Sequence, residues 1–396
     1  MLNQQMAALG NNRSTIRELF EYGNQRAAVV GRENVFDFSI GNPNVPAPDA
    51  VREAILAEAA SDPVVLHGYT SAQGAADVRK ALADDLNRRF GTAYTGDNLY
   101  LTAGAAAALS CTFKAIACPG DEFVVLAPYF PEYLMFIESG AGAKAVIVPP
   151  SITDFQIDFD ALEQALSDRT KAVVVNSPNN PSGAVYSEKT VQQLSALLRE
   201  KEKQFGHPIY LVSDEPYREI VYDGIQVPFA PNYYDDTIVC YSYSKSLSLP
   251  GERIGYVLVP PQAADSAELY AAVCGAGRAL GYVCAPSMFQ RVAARCAGQT
   301  SDISVYQTNR DLLYEGLTGM GYTCVKPAGA FYLFPQTLEP DDRAFCERAK
   351  KYNLLVVPGA DFGAPGHMRI SYCVQTETIR RALPLFAALA EEYGKG

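Results

Sequence analysis

At 396 residues, 48% of them apolar and 19% charged, the chain has the length for two domains, or one large domain with a smaller companion. Its profile is that of a folded globular protein and excludes a disordered tail or linker. A net charge of −11 argues against nucleic acid and anionic membranes as partners, and any anion site must be a local concentration of positive charge. Nine cysteines with no CxxC pair and three scattered histidines, His67, His207 and His367, give no disulfide framework and no zinc site to expect.

In chain order, the N-terminal segment reads as polar and helix-compatible. It is followed by FDFSIGNPNVPAP, whose three prolines and one glycine predict an extended path outside the main sheet. LTAGAAAALSCTFKAI then predicts a short strand, a glycine turn and the start of an alanine-rich helix. Apolar runs of strand length follow: FVVLA, AVIVP, AVVVN, IYLVS, TIVCY and IGYVLV. Between several of them lie helix patterns such as DALEQALSD and SEKTVQQLSALLREKEKQ. Continuous apolar strands alternating with amphipathic helices predict an α/β fold with a mostly parallel sheet covered on both faces. After residue 290 a long helical pattern leads into the short strands AFYLFP and HMRISYC, which predict a smaller α+β part. The expected division is 46–290 for the large domain, and 1–45 with 291–396 for the small one. No apolar run reaches the roughly 18 residues of a membrane span and no signal-peptide pattern is present, so the cytoplasm is the expected address.

In an open parallel sheet, ligands sit beyond the carboxyl ends of the strands. AVVVN is followed there by SPNNPSG, IYLVS by DEPYREIVYDG and TIVCY by SYSKSLSLPGERIG. These three strand ends bring an amide (Asn180), a carboxylate (Asp214), a phenol (Tyr217) and an amine (Lys245) to one edge. Taken singly, Asp214 also fits a helix N-cap, Tyr217 a packed aromatic and Asn180 a turn residue beside proline. Together they describe a site for pyridoxal phosphate. Lys245 would form a Schiff base with its aldehyde, Asp214 would keep the pyridine nitrogen protonated, and Asn180 and Tyr217 would bond the ring oxygen. The helix start at Ala105 and Ala106 offers free N–H groups to the phosphate, with Ser242, Ser244 and Arg253 completing the cradle.

The motifs SPNNPSG, SDEPY, SYSK with GERIGY, and MRISY, in this order over most of the chain, resemble the class I/II aminotransferases of fold type I, the aspartate aminotransferase family. The resemblance implies a seven-stranded, mostly parallel sheet in the large domain and the same roles for Lys245, Asp214, Asn180 and Tyr217. It adds Phe130, in APYFPEY, as the aromatic stacked on the ring, Arg369 as the fork for the substrate carboxylate, and Gly41 as backbone approaching the substrate. Tyr69, in HGYTSAQG, would reach the phosphate from a neighbouring subunit, which implies a homodimer with shared sites. Many relatives carry a hydroxyl in the phosphate turn, where this chain has alanines from 105 to 108.

The expected reaction is transfer of an amino group between an L-amino acid and a 2-oxo acid in two half-reactions. The nearest alternative is a carbon–sulfur β-lyase built on the same lysine and carboxylate. A cofactor-binding regulatory domain is a remote alternative, since it would call for an appended basic DNA-binding part. Arg278 as a cation for a distal carboxylate, or Phe20, Tyr22 and Tyr129 as an apolar lining, would decide the substrate, and the sequence leaves these open.

Overall fold

The computed structural model describes residues 2–11 and 14–395. Twelve strands appear in chain order: β1 (Phe36–Asp37), β2 (Leu99–Thr102), β3 (Glu122–Leu126), β4 (Lys144–Val148), β5 (Thr170–Asn176), β6 (Tyr210–Asp214), β7 (Thr237–Ser242), β8 (Gly255–Leu258), β9 (Tyr332–Leu333), β10 (Leu354–Leu355), β11 (Val357–Pro358) and β12 (Met368–Ser371). Seven of them form the central sheet in the order β2-β8-β7-β6-β5-β3-β4. Within that sheet only β8 runs antiparallel to its neighbours. The fold is therefore α/β with a mostly parallel seven-stranded sheet.

Each apolar run predicted from sequence lies on one of these strands, because Val- and Ile-rich segments fit a pleated surface buried on both faces. The period of two divides them. Phe123, Val125, Val174, Val212 and Ile238 enter the core on one face, with Phe113 of the helix Ala105–Ile116. Val124, Leu126, Val173, Val175 and Leu211 enter the opposite core, against Leu194 and Leu198 of the helix Glu188–Phe205. That helix starts where its sequence says it should: the Ser187 side chain accepts from the N–H of Thr190, and Gly206 ends it in the left-handed conformation. No helix of the described residues is long and apolar enough to cross a membrane.

The remaining strands form two small sheets, β1-β10 and β11-β12-β9. The proline-rich N-terminal stretch stays out of the central sheet and pairs instead with the C-terminal part, Phe36 opposite Leu354 and Asp37 opposite Leu355. The pairing continues past β1, for Phe38 N–H donates to Leu355 and its carbonyl accepts from Ser371, both at 2.9 Å. A third core gathers Phe36, Phe38 and Val45 with Tyr306, Leu313, Phe345, Ile370 and Phe386. The consequence for the site is that Ile40 and Gly41 are carried to the edge of the central sheet by backbone bonds made elsewhere.

Ile238 is fully buried near the start of β7, the strand that leads into SYSK. Ile238→Ala is expected to cost about 2–5 kcal/mol of unfolding free energy, read from urea denaturation, since the surrounding strands cannot collapse on the gap.

Candidate active site

The parallel register sets the site. Asn176 stands opposite Asp214 and Asp214 opposite Cys240, so β5 and β6 end together while β7 runs on to Ser242, and Thr102 at the end of β2 is held level with Ser242 through Gly255 of β8. A cavity of about 310 Å³ opens over these ends. Asp214, Asn180, Tyr217, Lys245, Ser242 and Ser244 line it, together with Ala105, Ala106, Phe130, Arg253, Arg369 and Gly41. Of the residues assigned to the cofactor and substrate in the sequence, Tyr69 alone does not line this cavity, and of those left open for substrate choice none does. Tyr69 is 91% exposed. Arg278 lies on the exposed face of the helix Ser266–Ala279, beside Tyr100 and Val283. Phe20 faces a separate surface groove and Tyr22 packs under Lys350, while Tyr129 is buried; the apolar wall that the N-terminal segment does supply is Ile16.

Asp214 is buried, and burial raises its carboxyl to about 7, held back by a hydrogen bond from Tyr133 and raised further by Glu215. Tyr133 Oη donates to Oδ2 at 2.5 Å, and the backbone carbonyl of Asp214 accepts from Asn176 Nδ2 at 2.9 Å. Oδ1 has no hydrogen-bond partner among the described residues. The carboxyl is thus fixed at one oxygen and open at the other.

Lys245 follows directly on β7, in the short helix Tyr243–Ser246 that Ser242 caps by accepting from Ser244 N–H at 3.1 Å. Its Nζ donates to the carbonyl of Gly41 at 2.6 Å. Burial lowers its pKa to about 8, and the nearby Arg253 and Arg369 guanidinium groups also disfavour the charge. A useful fraction of neutral amine, and hence a nucleophile, exists near neutral pH.

The helix Ala105–Ile116 starts with no side-chain cap, and the first backbone bond into its turn is made by Ala108 N–H to Gly104. The N–H groups of Ala105 and Ala106 are left for an anion. Gly104, at φ +84°, makes room for Arg253, whose Nη2 would lie 2.7 Å from a Cβ at that position. Arg253 Nη1 also donates to Ser244 Oγ at 3.4 Å and to the Pro250 carbonyl at 2.9 Å. The turn lacks a hydroxyl of its own, and Ser242, Ser244 and Arg253 stand on the opposite side.

Arg369 is buried on β12. Its guanidinium donates to Asn180 Oδ1 at 3.1 Å and to the carbonyl of Ser39, and stacks on the rings of Tyr332 and Phe362, each centroid 4.8 Å away. Among the described residues no carboxylate pairs with it, and its Nε has no partner. A buried cation without a counter-ion, facing a cavity, is a site for an anion. No group of side chains with the makings of a metal site occurs among the described residues.

The sequence reading missed Asn176, Ile16, Ile40, Leu109 and Tyr332, which line the cavity with Pro216 and Pro250, and Tyr133, which reaches it through Asp214. Tyr133 and Asn176 had a signal, since one ends the APYFPEY stretch that supplies Phe130 and the other is a polar residue closing a buried strand. Ile16 and Tyr332 had none, because what places them is pairing with distant segments.

Over residues 33–385 the chain matches the family model described as Aminotransferase class I and II. The chain belongs to this family. It is a transaminase, and no relative considered points to the lyase alternative. It is 32% identical to the aspartate/prephenate aminotransferase of Thermus thermophilus over 92% of this chain and 94% of the relative. It is 31% identical to a probable N-acetyl-LL-diaminopimelate aminotransferase of Bacillus subtilis, over 90% and 89%. Among solved structures, an amino transferase from Eubacterium rectale is 59% identical with a TM-score of 0.98 over the full length of both chains. The aspartate aminotransferase of Thermus thermophilus with maleate is 30% identical, with a TM-score of 0.84 over 98% of this chain and 99% of that one. These aminotransferases share the fold type I architecture described above.

The Asp214 carboxyl gives a measurable sign. Unfolded, it titrates near its ordinary 3.8; folded and ligand-free, near 7. Between these values the folded state keeps a proton that the unfolded chain has released, so this group's contribution to stability falls as pH rises from about 4 to about 7. Asp214→Asn is expected to remove that part of the slope, measured by urea denaturation of the ligand-free protein across this range.

Proposed function

We propose that this aminotransferase uses pyridoxal 5′-phosphate, held by Lys245, to move an amino group between an L-amino acid and a 2-oxo acid by a ping-pong mechanism. The observation that carries this reading is the unpartnered Asp214 Oδ1 in the same cavity as an amine of lowered basicity and a guanidinium without a counter-ion. Each unmet group matches one part of that cofactor or substrate, so the residues fit it. Bound there, pyridoxal phosphate supplies an aldehyde that bonds amines and a ring that takes up the electrons of a breaking Cα–H bond.

The roles of the chain follow. Lys245, whose Nζ donates to the Gly41 carbonyl in the ligand-free chain, would be the amine that holds the aldehyde. Asp214, oriented by Tyr133, would accept the ring N–H at its open Oδ1. Asn180 and Tyr217 address the ring oxygen, and Phe130 packs on the ring face. Ala105 and Ala106 N–H groups, Ser242, Ser244 and Arg253 hold the phosphate. Arg369 grips the substrate carboxylate and so fixes the Cα–H bond relative to the ring, while Gly41 lets the backbone approach. Lys245, when its amine is free, would hold and return the Cα proton as general base and acid.

The finer parts of the reading are these. The chain acts as a homodimer in which Tyr69 completes the partner's phosphate site; its 91% exposure, with Val64 and Val65 also exposed shortly before it in the chain, supports this. Residues 46–290 form the cofactor-holding domain and 1–45 with 291–396 the smaller one, with Tyr217, Ile220 and Tyr222 packing across the seam into the smaller core. The cytoplasm, where nine unpaired cysteines are ordinary, remains the proposed place of action.

Lys245→Ala is expected to abolish turnover in an assay coupling amino-acid donors to 2-oxo acids; near-normal activity would overturn the proposal. Arg369→Lys keeps the charge but loses the fork, and is expected to lower kcat/KM on the order of a hundredfold, about 2–3 kcal/mol, for donors and acceptors alike.

A further inference from the structure

Tyr332 has no part in the scheme above, yet it touches three of the groups on which that scheme depends. It is buried on β9 and lines the cavity. Its hydroxyl lies 2.7 Å from that of Tyr217, its one hydrogen-bond partner among the described residues. The two rings meet edge to face, with centroids 5.7 Å apart at 80°. The Arg369 guanidinium rests on the Tyr332 ring. The hydroxyl also fills the space beside Gly41: a Cβ there would sit 2.0 Å from Tyr332 Oη, so no side chain fits at position 41.

A phenol has one proton to give. If Tyr217 gave its proton to Tyr332, none would be left for a ligand in the cavity. If Tyr332 is the donor, the Tyr217 proton is free to point there. The second arrangement is favoured because the Tyr332 proton has no other acceptor within reach. A cation against its ring face also draws electrons from the oxygen and makes it the better donor. Burial keeps Tyr332 protonated, its hydroxyl pushed up to about 12 with Arg369 holding it back from going higher. Tyr217 is held at right angles to Phe331 as well as to Tyr332, so it is not free to turn away.

We infer that Tyr332 is a positioning residue for transamination: it donates to the Tyr217 hydroxyl, leaves the Tyr217 proton for the ring oxygen of the cofactor, and ties that contact to Arg369 and Gly41. The inference rests on the pyridoxal phosphate reading of the site. It makes the C-terminal strand that neighbours the carboxylate fork a support for the ring contact too, since Tyr332 on β9 pairs with Ser371 two residues beyond Arg369.

Tyr332→Phe removes the oxygen and keeps the ring. The test is the pH midpoint of the absorbance change of the bound cofactor in wild type, Tyr332→Phe, Tyr217→Phe and the double variant. Donation to the ring oxygen stabilises its negative charge, so weakening it moves the midpoint up. The expected rise for Tyr332→Phe is about half to one pH unit, the equivalent of one neutral hydrogen bond. Tyr217→Phe should raise the midpoint further, and Tyr332→Phe should add nothing in that background. Equal midpoints in wild type and Tyr332→Phe overturn the inference and leave the cofactor reading standing. No cofactor band in wild type, with Lys245 intact, overturns that reading and the inference with it. As a second arm, Gly41→Ala should weaken 2-oxo acid binding more in the wild-type background than beside Tyr332→Phe, where the obstructing oxygen is gone. Equal losses in the two backgrounds contradict the interlock.

Discussion

Burying a carboxyl with only one of its oxygens satisfied is costly, and the site is organised around that cost at Asp214. Tyr133 holds Oδ2, the backbone carbonyl is tied to Asn176, and Oδ1 is left without a partner, so the carboxyl rises toward neutral pH in the ligand-free chain. Across the cavity Arg369 carries the opposite imbalance, a guanidinium satisfied by an amide and a carbonyl but by no carboxylate. The two are not paired with each other, and their unmet demand makes the cavity receptive to a ligand with a cationic ring nitrogen and an anionic carboxylate. Lys245 between them is kept from full protonation by the same burial and by its two cationic neighbours.

The architecture supplies this arrangement through register. Parallel β5 and β6 end level, with β7 running on from Cys240 to Ser242, so residues following each of them converge without any being adjacent in sequence. The small sheets deliver the rest. β1 anchors the stretch that carries Gly41 to Lys245, and β12 with β9 brings Arg369 and Tyr332 together. Tyr332 touches both groups of elements, with its hydroxyl on Tyr217 and its ring under Arg369.

Much of this could be read from the chain itself, and the reason is physical. AVVVN, IYLVS and TIVCY are strands by local composition, and the rule that polar residues after parallel strands face the ligand turned Asn180, Asp214 and Lys245 into one cluster. Ser187 and Gly206 mark the ends of their helix by capping chemistry that is equally local. Tyr133 and Tyr332 are another matter. The APYFPEY stretch places Tyr133 near Phe130 but does not name its partner Asp214, 81 residues on, and Tyr332 meets Tyr217 across 115. The role of Ala105 and Ala106 was legible only as a helix start, because backbone N–H groups carry no residue signature. Tyr69 shows the converse: the sequence pattern assigns it a partner, and in one chain it faces outward.

The most direct test of the account is to locate the cofactor covalently. The protein is incubated with pyridoxal phosphate, reduced with borohydride, digested, and its peptides are weighed by mass spectrometry. The account predicts the reduced phosphopyridoxyl group on Lys245 and no stoichiometric modification of any other lysine. Stoichiometric labelling elsewhere, with Lys245 unmodified, would contradict it.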